Sequence, residues 1–201
     1  MKDWVSTQLA RRGIHDERVL AAMRRVPREL FVPERDRRHA YDDAALALSH
    51  GQTISQPFIV ALICQALSLD GDERVLDVGT GSGYQAAVLA ELASEVVSIE
   101  RISELSVQAR VNLAAAGYGD LVELRVGNGW LGVPDKAPFD GIAVAAAAPE
   151  PPPALLDQLA DDGRLVLPIG DDAQWLVLVD RSGGTTRVRP LSPVRFVPLV
   201  R

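Results

Sequence analysis

A chain of 201 residues, 47% hydrophobic and 24% charged, has the composition of an ordinary globule and the length for one α/β domain with a full core. Its net charge of −6 is uneven, ten Lys+Arg against six Asp+Glu in residues 1–40 and 11 against 21 in the rest, and the acidic majority disfavours nucleic acid as a partner. No apolar run approaches the ~20 residues that cross a bilayer, and the polar N-terminus lacks the apolar core of a secretion signal, so no membrane partner and a cytoplasmic location are expected.

Two short amphipathic helices open the chain, Trp4 to Arg11 and Asp16 to Val26, the second with Val19, Leu20, Met23 and Val26 at helical spacing. Their arginines alternate with apolar and acidic residues, as solvated helix faces do. Pro27 and Pro33 bracket Leu30-Phe31-Val32 and stop helix there. Gly51 to Gln56 should be irregular, and Pro57 suits the first turn of a helix from Phe58 to Leu67. That helix holds the lone cysteine, Cys64, which has no partner for an internal disulfide. From Arg74 the pattern alternates: strand 74–78, helix 84–93, strand 95–100, helix 102–116, strand 121–126, strand 139–145, helix 153–160, strand 164–169. Alternation of this kind means a parallel sheet covered on both faces. Gln174 to Asp180 and Thr185 to Leu191 flank Ser182-Gly183-Gly184 and read as an antiparallel hairpin. His15, His39 and His50 are scattered and show no metal-ligand spacing.

Val75 to Val78 run into Gly79-Thr80-Gly81-Ser82-Gly83, an apolar strand entering a glycine-rich turn before a helix. Such a turn brings backbone close to a ligand where any Cβ would obstruct. The dinucleotide fingerprint would need its third glycine at Tyr84, so the spacing points away from NAD and suits S-adenosylmethionine, whose amino-acid part carries no pyrophosphate. The next strand ends on Glu100, about twenty residues past Gly79, where a carboxylate can accept from a ribose diol. Asn128, between Gly127 and Gly129, follows the third strand; it reads either as an amide on the adenine edge or as a plain Asn-Gly turn.

Gly51-Gln52-Thr53-Ile54-Ser55-Gln56-Pro57, the stretch Asp77 to Gln85, and Val194-Arg195-Phe196-Val197-Pro198-Leu199 together closely resemble the protein-L-isoaspartate (D-aspartate) O-methyltransferase family. Val26 to Pro33, Ala146 to Pro149 and Leu165 to Gly170 extend the likeness nearly end to end. The resemblance implies a Rossmann-like S-adenosylmethionine-dependent methyltransferase fold: a mostly parallel central sheet, a C-terminal antiparallel hairpin and an N-terminal helical cap. Residues 1–201 would form a single domain, 1–70 the cap and catalytic loop and 71–201 the cofactor-binding sheet and C-terminal strands. It places Ser55 beside the transferred methyl as the catalytic residue. S-adenosyl-L-methionine would contact Thr53, Ile54, Asp77, Gly79, Thr80, Gly81, Ser82, Gly83, Glu100, Arg101, Gly127, Asn128 and Gly129. The substrates would be isoaspartyl and D-aspartyl residues of damaged proteins, methylated by a cytoplasmic monomer to start repair through a succinimide. The chain departs from the family pattern at Asn128, usually Asp, at Asp77, often Glu, at Leu46-Ala47-Leu48-Ser49, usually Leu-Pro-Ile-Gly, and at Val200, often Thr.

Chemistry agrees with a site that has no metal and no His–Asp pair. A peptide carboxylate with a pKa of about 4 is already ionised at neutral pH, so methyl transfer to it needs alignment rather than a general base. A base-modifying methyltransferase would carry Asp/Asn-Pro-Pro-aromatic after the fourth strand, where this chain has Ala146-Ala147-Ala148-Pro149. The closer rival uses the same loop to modify one dedicated partner peptide.

Overall fold

Apolar runs at 74–78, 95–100 and 139–144 form the middle of a seven-stranded sheet in the computed structural model, which describes residues 3–201. In chain order the elements are α1 (Trp4–Gln8), α2 (Glu17–Arg25), β1 (Leu46–Ala47), β2 (Thr53–Ile54), α3 (Pro57–Leu67), β3 (Arg74–Val78), α4 (Tyr84–Ala90) and β4 (Glu95–Glu100). There follow α5 (Ser103–Ala115), β5 (Val122–Val126), β6 (Phe139–Val144), α6 (Pro153–Asp157), β7 (Leu159–Ile169), β8 (Gln174–Ser182) and β9 (Thr185–Val194). The sheet order is β5-β4-β3-β6-β7-β8-β9. Pairings from β5 across to β7 are parallel, and β8 and β9 close the sheet as an antiparallel hairpin. The strand order reverses at β3, which opens a crevice beyond its carboxyl end, where open α/β sheets take ligands.

Alternate residues of each strand enter opposite cores. Val75 and Val96 join the cap-side cluster with Val5, Leu9, Leu20, Met23, Phe31 and Ile63. Leu76, Val78, Val97 and Ile99 join the other, with Leu155 of α6. The cap therefore shares its core with the sheet, each buried aliphatic side chain contributing on the order of 1.5–3 kcal/mol. Asp16 caps α2, its carboxylate accepting from Arg18 and Val19 backbone N–H groups at 2.9 and 3.2 Å. Gln65 of α3 accepts from the backbone N–H of His15 at 2.7 Å and of Asp16 at 3.0 Å, which locks the start of α2 against α3.

Several element bounds differ from the sequence expectation. The first helix stops at Gln8; a 3-10 turn, Ala10–Arg12, leads into left-handed Gly13 at φ 99°, which terminates it before Arg11 completes an α-turn. The helix expected over 84–93 ends at Ala90. That expected over 153–160 ends at Asp157, and β7 begins at Leu159 instead of 164. Leu159 pairs with Phe139 before the register shifts to Arg164 opposite Gly141, with Asp162 at φ 63° in the looped-out stretch. Leu155 and Leu159 at helical spacing hide this break, since both are buried for different reasons. Within Gly51 to Gln56, expected to be irregular, Thr53 and Ile54 pair with Ala47 and Leu46 in a small antiparallel ladder.

Asp77 sits fully buried at the end of β3, facing the cap side. Its carboxylate accepts from Gln85 Nε2 at 2.8 Å and from the Ser98 hydroxyl at 2.6 Å, and Ser98 meets the Thr80 hydroxyl at 2.6 Å. Three elements, β3, α4 and β4, are thus tied beneath the glycine turn. Burial pushes the Asp77 pKa up from 3.8 to about 6, against the lowering by Ser98 and Gln85 and with a further push from Glu100. Between those values the folded state holds more protons than the unfolded, so this group's contribution to stability is present below pH ~4 and is lost as pH rises through ~6, on the order of 3 kcal/mol in all. Urea unfolding of wild type and Asp77→Asn across that window checks it. The stability of wild type relative to the variant should fall as pH rises, whereas parallel pH profiles would place the titration elsewhere.

Candidate active site

Beyond β3 the chain turns three times through left-handed glycines, Gly79 at φ 96°, Gly81 at 54° and Gly83 at 90°. At Gly81 the requirement is conformational alone, since a Cβ there would meet nothing closer than 3.7 Å and would strain the turn through φ. The turn is pinned from β4: Gly79 N–H donates to the Ile99 carbonyl at 2.9 Å, and Gly81 N–H to the Glu100 carboxylate at 2.9 Å. Asn112 of α5 donates to the Ser82 carbonyl at 2.9 Å from behind.

Glu100 is buried, its other carboxylate oxygen accepting from Ile102 N–H at 3.0 Å. Each oxygen so uses one acceptor site and keeps another, the arrangement that two adjacent hydroxyls can occupy. Arg101 follows it, exposed at the rim. Across the crevice, Gly129 lies where a Cβ would come within 2.6 Å of Val78 Cγ1, so only glycine lets this loop pack on β3. The Asn128 side chain turns back on its own loop and accepts from Trp130 N–H at 2.9 Å. That is an Asx turn, and the side chain does not line the crevice wall.

The third wall is the segment Gln52 to Ser55, held by the β1–β2 ladder on one side and by a buried arginine on the other. Arg28 Nη2 donates to the Ser55 carbonyl at 2.9 Å and Nε to the Ala40 carbonyl at 2.7 Å. Ser55 itself is half-buried, and its hydroxyl has no hydrogen-bond partner among the described residues. The fourth wall is the C-terminal strap. Ala147 N–H donates to the Val197 carbonyl at 2.8 Å and Leu199 N–H to the Ala147 carbonyl at 2.7 Å, laying Val197 to Val200 along the end of β6. Arg201 lies over the Trp130 ring at 4.5 Å and ties the strap to the loop after β5.

Of the residues singled out in the sequence, Thr53, Ile54, Ser55, Gly79, Thr80, Gly81, Ser82, Glu100, Arg101 and Gly129 meet in this one crevice. Asp77, Gly83, Gly127 and Asn128 stand outside the lining, Asp77 as the post beneath the turn and Gly83 against Leu113 of α5. Tyr84, Gln85, Leu199 and Val200 line it without having been foreseen. Gln85 and Tyr84 had a signal, as the first residues of the helix that leaves the glycine turn. Leu199 stood only in the terminal stretch of the resemblance and Val200 only as a departure from it, because nothing but the folded strap brings them to the crevice.

The family model for protein-L-isoaspartate(D-aspartate) O-methyltransferase matches residues 2–201. The protein-L-isoaspartate O-methyltransferase of Opitutus terrae is 54% identical over 199 residues, spanning 98% of this chain and 85% of that protein. Protein-L-isoaspartate O-methyltransferase 1 of Syntrophobacter fumaroxidans is 55% identical over 197 residues, spanning 98% and 92%. A crystal structure from Plasmodium falciparum, of a protein assigned as a protein-L-isoaspartate O-methyltransferase and in complex with S-adenosyl-L-homocysteine, superposes with a TM-score of 0.84 at 30% identity over 98% of this chain and 97% of that one. With its glycine turn, buried Glu100 and Thr53-Ile54-Ser55 wall in one crevice, the chain belongs to the protein-L-isoaspartate(D-aspartate) O-methyltransferase family.

Proposed function

We propose that this protein methylates the free carboxyl of L-isoaspartyl and D-aspartyl residues in damaged proteins, with S-adenosylmethionine as methyl donor, and so initiates their repair. The observation that carries the reading is the unpartnered Ser55 hydroxyl, held by its own backbone on a wall of the crevice that the glycine turn and Glu100 also form. The crevice fits the cofactor: its turn offers backbone free of Cβ atoms, and Glu100 keeps acceptor sites for a ribose diol. Gly79 to Ser82, Glu100, Arg101 and Gly129 would hold it. When bound, S-adenosylmethionine supplies a methyl on a sulfonium, an electrophile that an ionised carboxylate needs no base to attack.

The remaining work belongs to the chain. Ser55 donates to one substrate carboxylate oxygen and leaves the other free to react, an alignment that can be worth on the order of 7–11 kcal/mol when complete. A neutral hydroxyl suits this role, since a direct ion pair would hold the anion in its ground state. The titratable groups on the lining are Tyr84, Glu100 and Arg101. Burial pushes the Tyr84 hydroxyl up to about 12, so it stays protonated. Val197 and Pro198, opposite, offer backbone to a peptide of any flanking sequence. Once esterified, the substrate closes to a succinimide as the adjacent backbone nitrogen expels methanol, and hydrolysis returns part of it to normal aspartate. We place the activity in the cytoplasm and in a monomer.

Methyl transfer from labelled S-adenosylmethionine to an isoaspartyl peptide should greatly exceed transfer to its aspartyl twin, because the extra backbone methylene places the carboxylate differently. Equal rates would instead support a dedicated peptide-modifying enzyme. Ser55→Ala should lower kcat on the isoaspartyl peptide roughly ten- to hundredfold with cofactor affinity unchanged, and the wild-type rate should show no histidine limb near pH 6–7. Glu100→Gln should weaken S-adenosylmethionine binding by about 1–3 kcal/mol in calorimetric titration. An unchanged dissociation constant there would reduce Glu100 to a clamp on Gly81.

A further inference from the structure

Arg28 is fully buried, yet no carboxylate among the described residues pairs with it. Its Nε and Nη2 are spent on the carbonyls of Ala40 and Ser55, its plane lies over the Tyr84 ring at 4.6 Å, and Nη1 has no partner. Asp43 acts on it from beyond ion-pair range: one of its carboxylate oxygens serves Arg12, and the other, like Arg28 Nη1, is buried without a partner, so the charge of Arg28 is compensated only in part. Tyr41 and Tyr84, the other groups acting on it, are both driven upward in pKa by burial and stay neutral. Burial pulls the Arg28 pKa down, but a guanidinium keeps its charge. A buried cation without a direct ion pair is costly, and a further anion brought near it lowers that cost.

We propose that Arg28 is a positioning residue: from behind the crevice wall it fixes Ser55 through the peptide carbonyl, and its partly compensated charge, without pairing directly, offsets the cost of bringing an anion to that wall. The inference rests on the reading of Ser55 as the group that orients the carboxylate. It distinguishes the two ligands of the crevice, because a positive charge favours an acidic peptide and gives nothing to a cationic sulfonium. It also favours release, since the methyl ester formed is neutral.

The test compares wild type, Arg28→Met and Arg28→Lys by calorimetric titration. S-adenosylhomocysteine is titrated first, then an isoaspartyl peptide and its neutral isoasparaginyl twin onto that complex. Arg28→Met should bind the acidic peptide roughly tenfold or more weakly, with the neutral peptide and S-adenosylhomocysteine within about twofold of wild type. Arg28→Lys should bind the acidic peptide progressively more weakly as pH rises through the lowered pKa of a buried amine, which can fall to about 5–6, whereas wild type shows no such loss because a guanidinium keeps its proton. The lysine variant decides the matter if the methionine variant does not fold. Equal loss of acidic and neutral peptides in Arg28→Met, or a flat pH profile in Arg28→Lys, overturns the proposal. Wild-type turnover in Ser55→Ala overturns the reading of Ser55 and leaves the arginine result to stand by itself.

Discussion

The carboxylate of Asp77 lies fully buried near the end of β3, with no cation paired to it among the described residues, and the polar groups gathered around it set the geometry of everything above. Gln85 comes to it from the first turn of α4 and Ser98 from β4, while Thr80 reaches Ser98 from the glycine turn itself. A buried acceptor must find donors or cost stability, so these elements converge on one point. The turn between them is left with a single path, which its left-handed glycines follow. Gln85 is preceded by Tyr84, whose ring carries Arg28, and Arg28 in turn carries Ser55. Two buried polar posts, one beneath the turn and one beneath the serine, thus fix the two walls between which reaction occurs.

That arrangement suits a reaction whose nucleophile arrives already ionised. Proton transfer is not the obstacle; the entropy of aligning a flexible peptide carboxylate is. On the proposed reading, the glycine turn offers rigid backbone to the cofactor's amino-acid part, Glu100 an acceptor to the ribose, and Ser55 one neutral donor to the carboxylate. The strap at Val197 and Pro198, where we propose that substrate backbone would lie, is itself held by backbone pairing with Ala147.

Much of this was legible before folding. The strands at 74–78, 95–100 and 139–144 carry apolar residues at adjacent positions (Val75 and Leu76, Val96 and Val97, Ile142 to Val144), as strands covered on both faces do, and the glycine turn and Glu100 follow directly from where two of them end. Other features were hidden for identifiable reasons. Asn128 has the residue type for an adenine contact, and its side-chain oxygen also closes its own turn, a local bond that spacing does not reveal and that leaves the amide nitrogen for the contact proposed. Leu159 continues the helical spacing of Leu155 and belongs to a strand instead, through pairing with Phe139 far along the chain. Arg28 reads as one more arginine of a basic, solvated end; only the packing of the cap shows it to be buried and, among the described residues, without an ion pair.

The central claim is that Ser55 orients an ionised carboxylate and removes no proton. A crystal structure of the complex with S-adenosylhomocysteine and an isoaspartyl peptide tests it most directly. The account predicts the Ser55 hydroxyl within hydrogen-bond distance, about 2.5–3.0 Å, of one carboxylate oxygen, with the other oxygen turned toward the cofactor sulfur. A carboxylate bound away from Ser55, or paired directly with a charged side chain, would contradict it.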